Sequence, residues 1–289
     1  MKNHIEQRYS VAIVGIVKNI ANSIDGDFNR LREATSEFKN VKWFLVESDS
    51  TDESLNSLES IKRKHTNFDF VSLGNLGNSK DSRTIGMGKA RNRYLQELDQ
   101  VRKYKDVEYV IVADFNNLNS LVTKEAIATC FKRNDWDACF ANQSRKYYDI
   151  WALRHNLWSP NDCWEQHAFL RKYWKIPELA LYASVQSRMI HIPIDSEWIK
   201  VESAFGGLAI YKKDVLLQAT YSGTQPDGTP LCEHVPLNQS LSQSGYRLFI
   251  NPAFINTDST DHTENAFFRG ILKRIISYPS KLLNRSVNS

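Results

Sequence analysis

An apolar segment that ends in two oxygen-bearing side chains gives the first sign of chemistry in this sequence. The run VIVADFNN, residues 110–117, places Asp114 and Asn116 two positions apart where a buried strand should end. Side chains at i and i+2 of an extended chain point the same way, so these two can hold one hard cation, which would bridge a diphosphate. The same residues also suit a strand end followed by an asparagine-rich turn. The neighbouring segments have to decide between the two.

Apolar runs alternate with helix-like stretches along the first half of the chain. We predict strands at 10–19, 41–48, 68–73 and 108–115, with helices from about residue 52 and over 86–102. This alternation is typical of βαβ units and predicts an α/β fold with a mostly parallel sheet flanked by helices. Ligands of such sheets bind beyond the carboxyl ends of the strands. The polar residues there are Lys18, Glu47, Asp49, Asp114 and Asn116. We expect them to share one crevice, although each also suits a turn or a helix cap.

Composition and charge exclude several classes of protein. The 289 residues carry a formal net charge of +4, which is too small to indicate a nucleic-acid partner but suits an anionic ligand. The four cysteines show no C-x-x-C spacing, so we expect free thiols and a reducing compartment. The polar N-terminus lacks the apolar core of a secretory signal, and no stretch is long and apolar enough to cross a bilayer. A cytoplasmic location follows as the expectation.

The C-terminal segment differs in character from the rest of the chain. Residues 266–285, AFFRGILKRIISYPSKLLNR, repeat apolar residues near helical spacing and include five basic side chains. Such a helix either packs on the domain or binds the inner face of a membrane as a peripheral anchor. We therefore predict a catalytic domain at 1–262, divided into a nucleotide-binding half at 1–120 and an acceptor-binding half at 121–262. The basic tail occupies 263–289.

Four motifs of the first half, in their order, resemble the GT-A nucleotide-sugar glycosyltransferases. They are VGIVKN, VESDSTDES, GKARNRYL and a strand ending in DFN. The resemblance implies that Glu47 and Asp49 accept hydrogen bonds from the nucleoside and that Arg91 contacts the nucleotide or diphosphate. A solvated helix face is the alternative for Arg91. The family also implies Mn²⁺ or Mg²⁺ on an Asp-x-Asp motif, from which Asn116 departs, because an amide oxygen is a weaker ligand than a carboxylate.

Two segments of the second half carry further resemblances. RKYYDIWALRHN, 145–156, is similar to a stretch of the fungal capsule-associated mannosyltransferases. The similarity implies that Arg154 stabilises the leaving diphosphate and that Asp149 orients it or binds sugar hydroxyls; the alternative is a structural Asp–Arg pair. Gly206 and Gly207 resemble a glycine pair that the family places beside the donor sugar, and a bulge is the competing interpretation. An aromatic stretch at 159–191 predicts a helical insertion, which forms either an acceptor platform or a packed cluster.

The segment from residue 232 to 252 resembles the acidic motif of the family at the start of a helix. Glu233 and His234 stand where the family has Glu-Asp, whose second acid is the general base of inverting members. Either Glu233 or His234 could accept the proton of the acceptor hydroxyl, and Glu233 could instead stabilise the transition state. His262 follows the last predicted strand, where many GT-A enzymes supply a late metal ligand.

The resemblance implies a glycosyltransferase that moves a sugar from a UDP- or GDP-sugar donor to a saccharide acceptor, lipid-linked or free, in surface polysaccharide or glycan assembly. A sugar nucleotidyltransferase is one alternative. Its glycine- and arginine-rich loop is missing, however, because the first strand is followed by VKNIANSIDG. A noncatalytic carbohydrate-binding protein of the same fold is the other alternative, suggested by the altered Asp-x-Asp and Glu-Asp positions.

Overall fold

The structure, a computed structural model, describes residues 8–76 and 83–258. Its strands are β1 (Ser10–Val17), β2 (Asn40–Glu47), β3 (Phe68–Ser72), β4 (Tyr109–Ala113), β5 (Ala138–Gln143), β6 (Ile199–Lys200), β7 (Leu208–Lys212) and β8 (Leu248–Thr257). Its α-helices are α1 (Ile24–Ala34), α2 (Ser54–Lys64), α3 (Arg83–Gln100), α4 (Lys124–Cys130), α5 (Cys163–Tyr173), α6 (Pro177–Ser184), α7 (Lys213–Leu216) and α8 (His234–Gln243). The predicted α/β fold is confirmed.

The strands form one sheet in the order β3-β2-β1-β4-β7-β5-β8-β6. β1 lies inside the parallel half, where Val14 pairs with Phe44 on one side and with Val112 on the other. Strands in this half are apolar on both faces because helices cover both faces, which is why they are visible in the sequence as continuous apolar runs. β7 interrupts the parallel order, since it runs antiparallel to both β4 and β5.

Alternate residues of each strand enter two different cores, one on each face of the sheet. Ile13 and Ile111 pack with α1 and α4 on one face, whereas Val14 and Val112 pack with α3 and α8 on the other. The alternation follows from the two-residue period of an extended chain. This double layer fixes the sheet rigidly, so the loops at its edges leave from well-defined positions.

The direction of the strands brings the last residues of β1, β2, β3, β4 and β5 and the first residue of β7 to one edge of the sheet. β1, β2, β3 and β4 are parallel, and β7 is antiparallel to β4, with Ala113 opposite Leu208. The start of β7 therefore lies beside the end of β4. β5 runs in the same direction as β4, so the loop after Gln143 leaves from the same edge. The chain leaves β1 toward β2 on one side and returns to β4 on the other, which opens a crevice at this edge.

The helices and cysteines agree with the sequence-based expectations except at the bounds of one helix. The helix predicted at 86–102 begins earlier, at Arg83, and ends at Gln100. The helical insertion predicted at 159–191 contains α5 and α6. All four cysteines are free, as expected, and the structure shows that all four are buried. No helix in the described ranges, 8–76 and 83–258, has the length and hydropathy needed to cross a membrane. The predicted tail and His262 lie outside the described residues.

Candidate functional site

A cavity of about 560 Å³ opens where the ends of β1, β2 and β4 meet α3. Its apolar wall includes Ile16, Met87 and Phe115. Its polar lining consists of Lys18, Ser48, Asp49, Arg83, Asp114 and Asn116. Four of the five polar residues expected to share a crevice, Lys18, Asp49, Asp114 and Asn116, line this cavity, and Glu47 does not. The cavity combines an apolar slot with charges of both signs. Such a surface suits a flat ring attached to an anionic group.

A second depression, of about 670 Å³, lies at the opposite edge of the sheet. Ser10 and Tyr109, the first residues of β1 and β4, line it together with surface lysines. Ligands of open parallel sheets bind at the other edge, beyond the carboxyl ends of the strands. We therefore assign the functional site to the cavity that Asp114 lines.

The loops at the cavity are held in a backbone conformation that side chains usually avoid. Among the described residues, four residues other than glycine have positive φ, and all four lie in the loops that follow β1, β2 or β4. They are Asn19, Asp49, Asn116 and Asn117, with φ between 52° and 73°. Asparagine and aspartate tolerate this region better than other residues, but each such position still costs free energy. Strain of this kind is concentrated at functional sites.

Hydrogen bonds to a side chain of α1 hold the turn that follows β4. The Asp27 carboxylate, which is 2% exposed, accepts hydrogen bonds from the main-chain N–H groups of Asn116 and Asn117 at 2.8–3.2 Å. The φ of Asn116 is +73°, so the chain is no longer extended there. The expectation that Asp114 and Asn116 share one side of an extended strand is therefore wrong. The reason is that β4 ends at Ala113, before the first of the two.

One buried guanidinium connects the carboxylates behind the cavity. Arg91 on α3 donates from Nε to Glu233 at 2.8 Å and from Nη2 to Asp114 at 3.0 Å. Its side chain is 1% exposed and lies over the rings of Phe205 and Tyr221, 5.2 and 5.7 Å from their centroids. Arg91 thus holds residues of β4's end and α8's start together. Its Nη1 has no hydrogen-bond partner among the described residues.

A third carboxylate joins this group through the two glycines before β7. The Asp149 carboxylate accepts a hydrogen bond from the N–H of Gly206 at 3.0 Å. The carbonyl of Gly207, next in the chain, accepts one from the N–H of Asp114 at 2.9 Å. Gly206 and Gly207 have φ of +73° and +84°, and a Cβ on Gly206 would lie 2.9 Å from the Ala141 carbonyl oxygen. Both positions therefore require glycine.

Burial perturbs the titration of these carboxylates. It raises the pKa of Asp149 to about 6, against the opposing effect of the Gly206 hydrogen bond, and the charges of Asp114 and Glu233 raise it further. Burial also raises the pKa of Asp114, and Arg91 partly offsets that rise. Three carboxylates around one guanidinium leave an excess of negative charge. Such perturbed groups beside a cavity are typical of functional sites.

Comparisons with known proteins identify the fold but not a family. No family model matches this sequence, and no curated protein does. Among solved structures, a mannosyltransferase from Pyrobaculum calidifontis, in complex with GDP-mannose and Mn²⁺, is similar with a TM-score of 0.51 and 12% identity. The match covers 92% of this chain and 61% of that one. This chain has a GT-A-like fold.

A fragment of S. aureus TarS, residues 1–349 in complex with UDP-GlcNAc, is similar with a TM-score of 0.46 and 15% identity. That match covers 89% of this chain and 61% of the fragment. The chain thus spans about three fifths of the length of both structures. At these identities the likeness to the mannosyltransferase concerns the fold, and the TarS match adds nothing to it.

Two of the three charged side chains predicted to contact the nucleotide, Arg91 and Glu47, bind other protein groups instead. Arg91 was expected to contact the nucleotide or diphosphate, but its guanidinium is buried behind the cavity and bound to two carboxylates. Glu47 was expected on the nucleoside, but its buried carboxylate accepts hydrogen bonds from the N–H of Ser50 and the hydroxyl of Ser72. Glu47 therefore organises the loops that follow β2 and β3. Asp49 does line the cavity, as predicted.

Arg154 is structural in this fold. Its guanidinium is buried and donates to the carbonyls of Trp151 and Leu153 and, at 2.7 Å, to Asp162. The predicted Asp–Arg pair beside a tryptophan exists, but its acid is Asp162 and not Asp149. Asp162 also caps α5, because its other oxygen accepts from two N–H groups of that helix. Because the guanidinium is buried and bound to these three groups, the structure gives no support to the catalytic role predicted for Arg154.

His234 is closed to a substrate. Its ring is 2% exposed and stacks on Phe205 with 3.8 Å between centroids. Neither ring nitrogen has a hydrogen-bond partner within the described ranges. Burial lowers the pKa of His234 well below its ordinary value, and the nearby Arg91 lowers it further. This environment does not favour the predicted role of His234 as base, and Glu233, 3% exposed and bound to Arg91, is a poor alternative.

The donor set for a metal ion is incomplete. Within residues 8–76 and 83–258, no group of three or more His, Cys, Asp or Glu side chains is placed to hold one. Asp114, 28% exposed, and the amide of Asn116 are the oxygen donors at the cavity turn. They suit a hard cation that takes its other ligands from phosphate and water, as Mg²⁺ commonly does. His262 lies outside the described residues.

The sequence did not identify Arg83 and Met87, which line the cavity, or Asp27, which binds the turn after β4. Arg83 and Met87 precede Arg91 by eight and four positions on α3, so they share its face of the helix, and they line the cavity. That spacing was a usable signal. Asp27 was missed because nothing local distinguishes it from any acidic residue in the first turn of a helix.

Proposed function

We propose that this protein is a glycosyltransferase that transfers a sugar from a nucleotide-sugar donor to a saccharide acceptor. The observation that carries the proposal is the cavity at the carboxyl edge of the sheet, with Lys18, Asp49, Arg83 and Asp114 in its lining. The GT-A-like fold supports the same function. The P. calidifontis mannosyltransferase binds GDP-mannose with Mn²⁺, which makes that donor and cation the first to test.

The cavity offers a place for each part of a UDP- or GDP-sugar. The apolar slot between Ile16 and Met87 suits the base, and Asp49 would accept hydrogen bonds from base or ribose. Arg83 at the start of α3 and Lys18 after β1 would bind the diphosphate, aided by the positive end of the helix. Asp114 and Asn116 would hold Mn²⁺ or Mg²⁺, which neutralises negative charge on the diphosphate when bound.

Within this proposal, Asp149 takes the proton of the acceptor hydroxyl. A general base works best with a pKa near the working pH, and burial raises that of Asp149 to about 6. Asp149 is also partly exposed, whereas Glu233 and His234 are closed off. The hydrogen bond from Gly206 holds one carboxylate oxygen in place. The acceptor saccharide would then lie beside Gly206 and Gly207, and a lipid-linked acceptor is compatible with this arrangement.

Donor binding can be tested by thermal shift with UDP-, GDP- and CMP-sugars, including GDP-mannose, with and without Mn²⁺. A ligand that binds the folded state raises the melting temperature. Arg83→Gln should weaken binding of the best donor about tenfold, the effect of one lost charge-assisted hydrogen bond. Arg102→Gln, an exposed arginine outside the cavity lining, is the matched control. Equal affinities for the two variants would exclude the cavity as the diphosphate site.

Transfer itself requires a separate measurement with the identified donor. Asp149→Asn should keep donor affinity and lose about 10²–10⁴-fold in transfer rate. In the unmodified protein the rate should rise with pH through about 6 and then level off, because the base must be ionised. If Asp149→Asn retains both the rate and that pH profile, another residue accepts the proton.

Noncatalytic binding of a nucleotide sugar is a second candidate, favoured by one specific observation. The two residues at the Glu-Asp position are both unavailable, since Glu233 is bound to Arg91 and His234 is stacked on Phe205. A protein of this kind would show the thermal shift and the Arg83 effect but neither transfer nor hydrolysis of the bound donor. Product analysis of the same mixtures by mass spectrometry separates the two functions.

A further inference from the structure

Exposed apolar side chains concentrate on the hairpin formed by α5 and α6. Seven of the thirteen exposed large hydrophobic side chains in the described residues lie on it. They are Trp164, Phe169, Tyr173, Trp174, Ile176, Leu179 and Tyr182. The helix α5 buries only Cys163. Single exposed apolar residues need no explanation, but a concentration of this kind marks an interaction surface.

The tip of this hairpin is also basic. Between residues 168 and 177 the chain carries Arg171, Lys172 and Lys175 and no acidic residue. Glu165, nearer the domain, accepts a hydrogen bond from Gln225 and so belongs to the attachment of the hairpin. The tip, residues 168–182, therefore combines aromatic rings with three basic side chains and a single acid, Glu178, one of whose carboxylate oxygens is buried.

The hairpin is attached firmly at its base. Asp162 caps α5 and binds Arg154, and Arg188 donates to Ser159 at 2.9 Å and to the carbonyl of Asn161 at 3.0 Å. The Asp162–Arg154 pair links the start of the hairpin to the domain, and the Arg188 bonds join the two ends of the hairpin to each other. The exposed tip is thus presented by a fixed base.

We propose that the tip, residues 168–182, docks in the headgroup region of an anionic lipid bilayer. Tryptophan and tyrosine favour this interface because each has an apolar body and a polar group. Basic residues beside an anionic surface add about 1 kcal/mol each, or about fivefold in partitioning. A second copy of this chain is disfavoured as the occupant, since a twofold contact would oppose the same basic tips. The inference does not rest on the proposed transfer reaction.

Quenching of tryptophan emission by brominated lipid tests where the protein contacts a membrane. Of the seven tryptophans, Trp164 and Trp174 are the exposed ones, and residues 259–289 contain none. Vesicles of brominated phosphatidylcholine and phosphatidylglycerol should quench the full-length protein, and Trp164→Phe with Trp174→Phe should abolish the quenching while sedimentation persists. Sedimentation without quenching would overturn the proposal, because contact would then lie elsewhere, for example in the C-terminal segment.

The contribution of the basic side chains is tested separately, with variants that remove positive charge from the tip. Lys172→Gln with Lys175→Gln should lower partitioning into vesicles with phosphatidylglycerol about 25-fold, at about fivefold for each charge. The matched control is Arg63→Gln with Lys64→Gln on α2, which removes the same charge from another exposed surface. Equal losses in both variants would overturn the proposal, as would a failure of the full chain to sediment at all. A dimer detected by ultracentrifugation that the Lys172 and Lys175 changes dissociate would assign the surface to a second copy.

Discussion

Removal of the buried guanidinium of Arg91 tests how the site is built. In Arg91→Met, Glu233 loses a partner at 2.8 Å and Asp114 loses one at 3.0 Å. The methionine keeps an apolar stem between the rings of Phe205 and Tyr221, so most of the packing survives. Breaking a buried pair by removing one partner leaves an uncompensated charge and costs about 3–5 kcal/mol. We expect a fall of about 10 °C in melting temperature.

The matched control lies two positions along the same helix. Arg93 is 31% exposed and pairs with Glu97 at 2.9 Å. Because solvent screens such a pair, Arg93→Met should cost no more than about 1 kcal/mol. Urea unfolding followed by circular dichroism gives the free energy of unfolding of both variants. If Arg91→Met loses no more than Arg93→Met, the guanidinium does not hold the site together and the reasoning fails.

The same comparison has a pH dependence of known sign. Burial raises the pKa of Asp114, and Arg91 opposes that rise, so its removal raises this pKa further. A carboxyl whose folded pKa lies above its unfolded value binds more protons in the folded state. The free energy of unfolding therefore falls as pH increases from the unfolded pKa to the folded pKa of this carboxyl. The deficit of Arg91→Met should be larger at pH 8 than at pH 5.

Three further variants probe other parts of the site. Gly206→Ala should cost more unfolding free energy than Gly228→Ala, because both have positive φ but a Cβ meets the Ala141 carbonyl at 2.9 Å only in the first; urea midpoints give the difference. Asp149→Asn should raise the free energy of unfolding by up to about 3 kcal/mol at pH 8 and leave it unchanged at pH 3. The reason is that the pKa of Asp149, about 6, exceeds the ordinary 3.8, so the ionised carboxylate destabilises the fold at high pH. Asp27→Ala should lose about 1–2 kcal/mol and weaken donor binding, as the turn after β4 loses its two hydrogen bonds.

The parallel half of the sheet could be predicted because each of its strands leaves a recognisable pattern in a short segment of the sequence. A strand buried on both faces is a continuous apolar run in the sequence, as in β1 and β4. The position of β7 between β4 and β5 could not be predicted in this way. It depends on pairs such as Ala113 with Leu208, which lie far apart in the chain and leave no local pattern.

For the site, the sequence identified residue types correctly but not the directions of their side chains. Asp49, Asp114 and Asn116 line the cavity because their position after a strand already determines where they lie. The partners of Arg91 lie 23 and 142 positions away in the chain. Whether such an arginine faces a ligand or two carboxylates is decided by tertiary packing alone. The same holds for Arg154, whose role changed because its acid is Asp162.

Under the proposed function, the charges at this edge of the sheet favour a donor that binds together with a cation. Four carboxylates and three basic groups surround the cavity and the network behind it, namely Asp49, Asp114, Asp149 and Glu233 against Lys18, Arg83 and Arg91. A diphosphate adds further negative charge to this excess, and buried like charges repel strongly. Buried carboxylates cost desolvation free energy, and their concentration beside a cavity favours a role in ligand binding. The thermal shift from a nucleotide sugar should therefore be small alone and large with Mn²⁺, and equal shifts in both conditions would show that basic side chains alone neutralise the diphosphate.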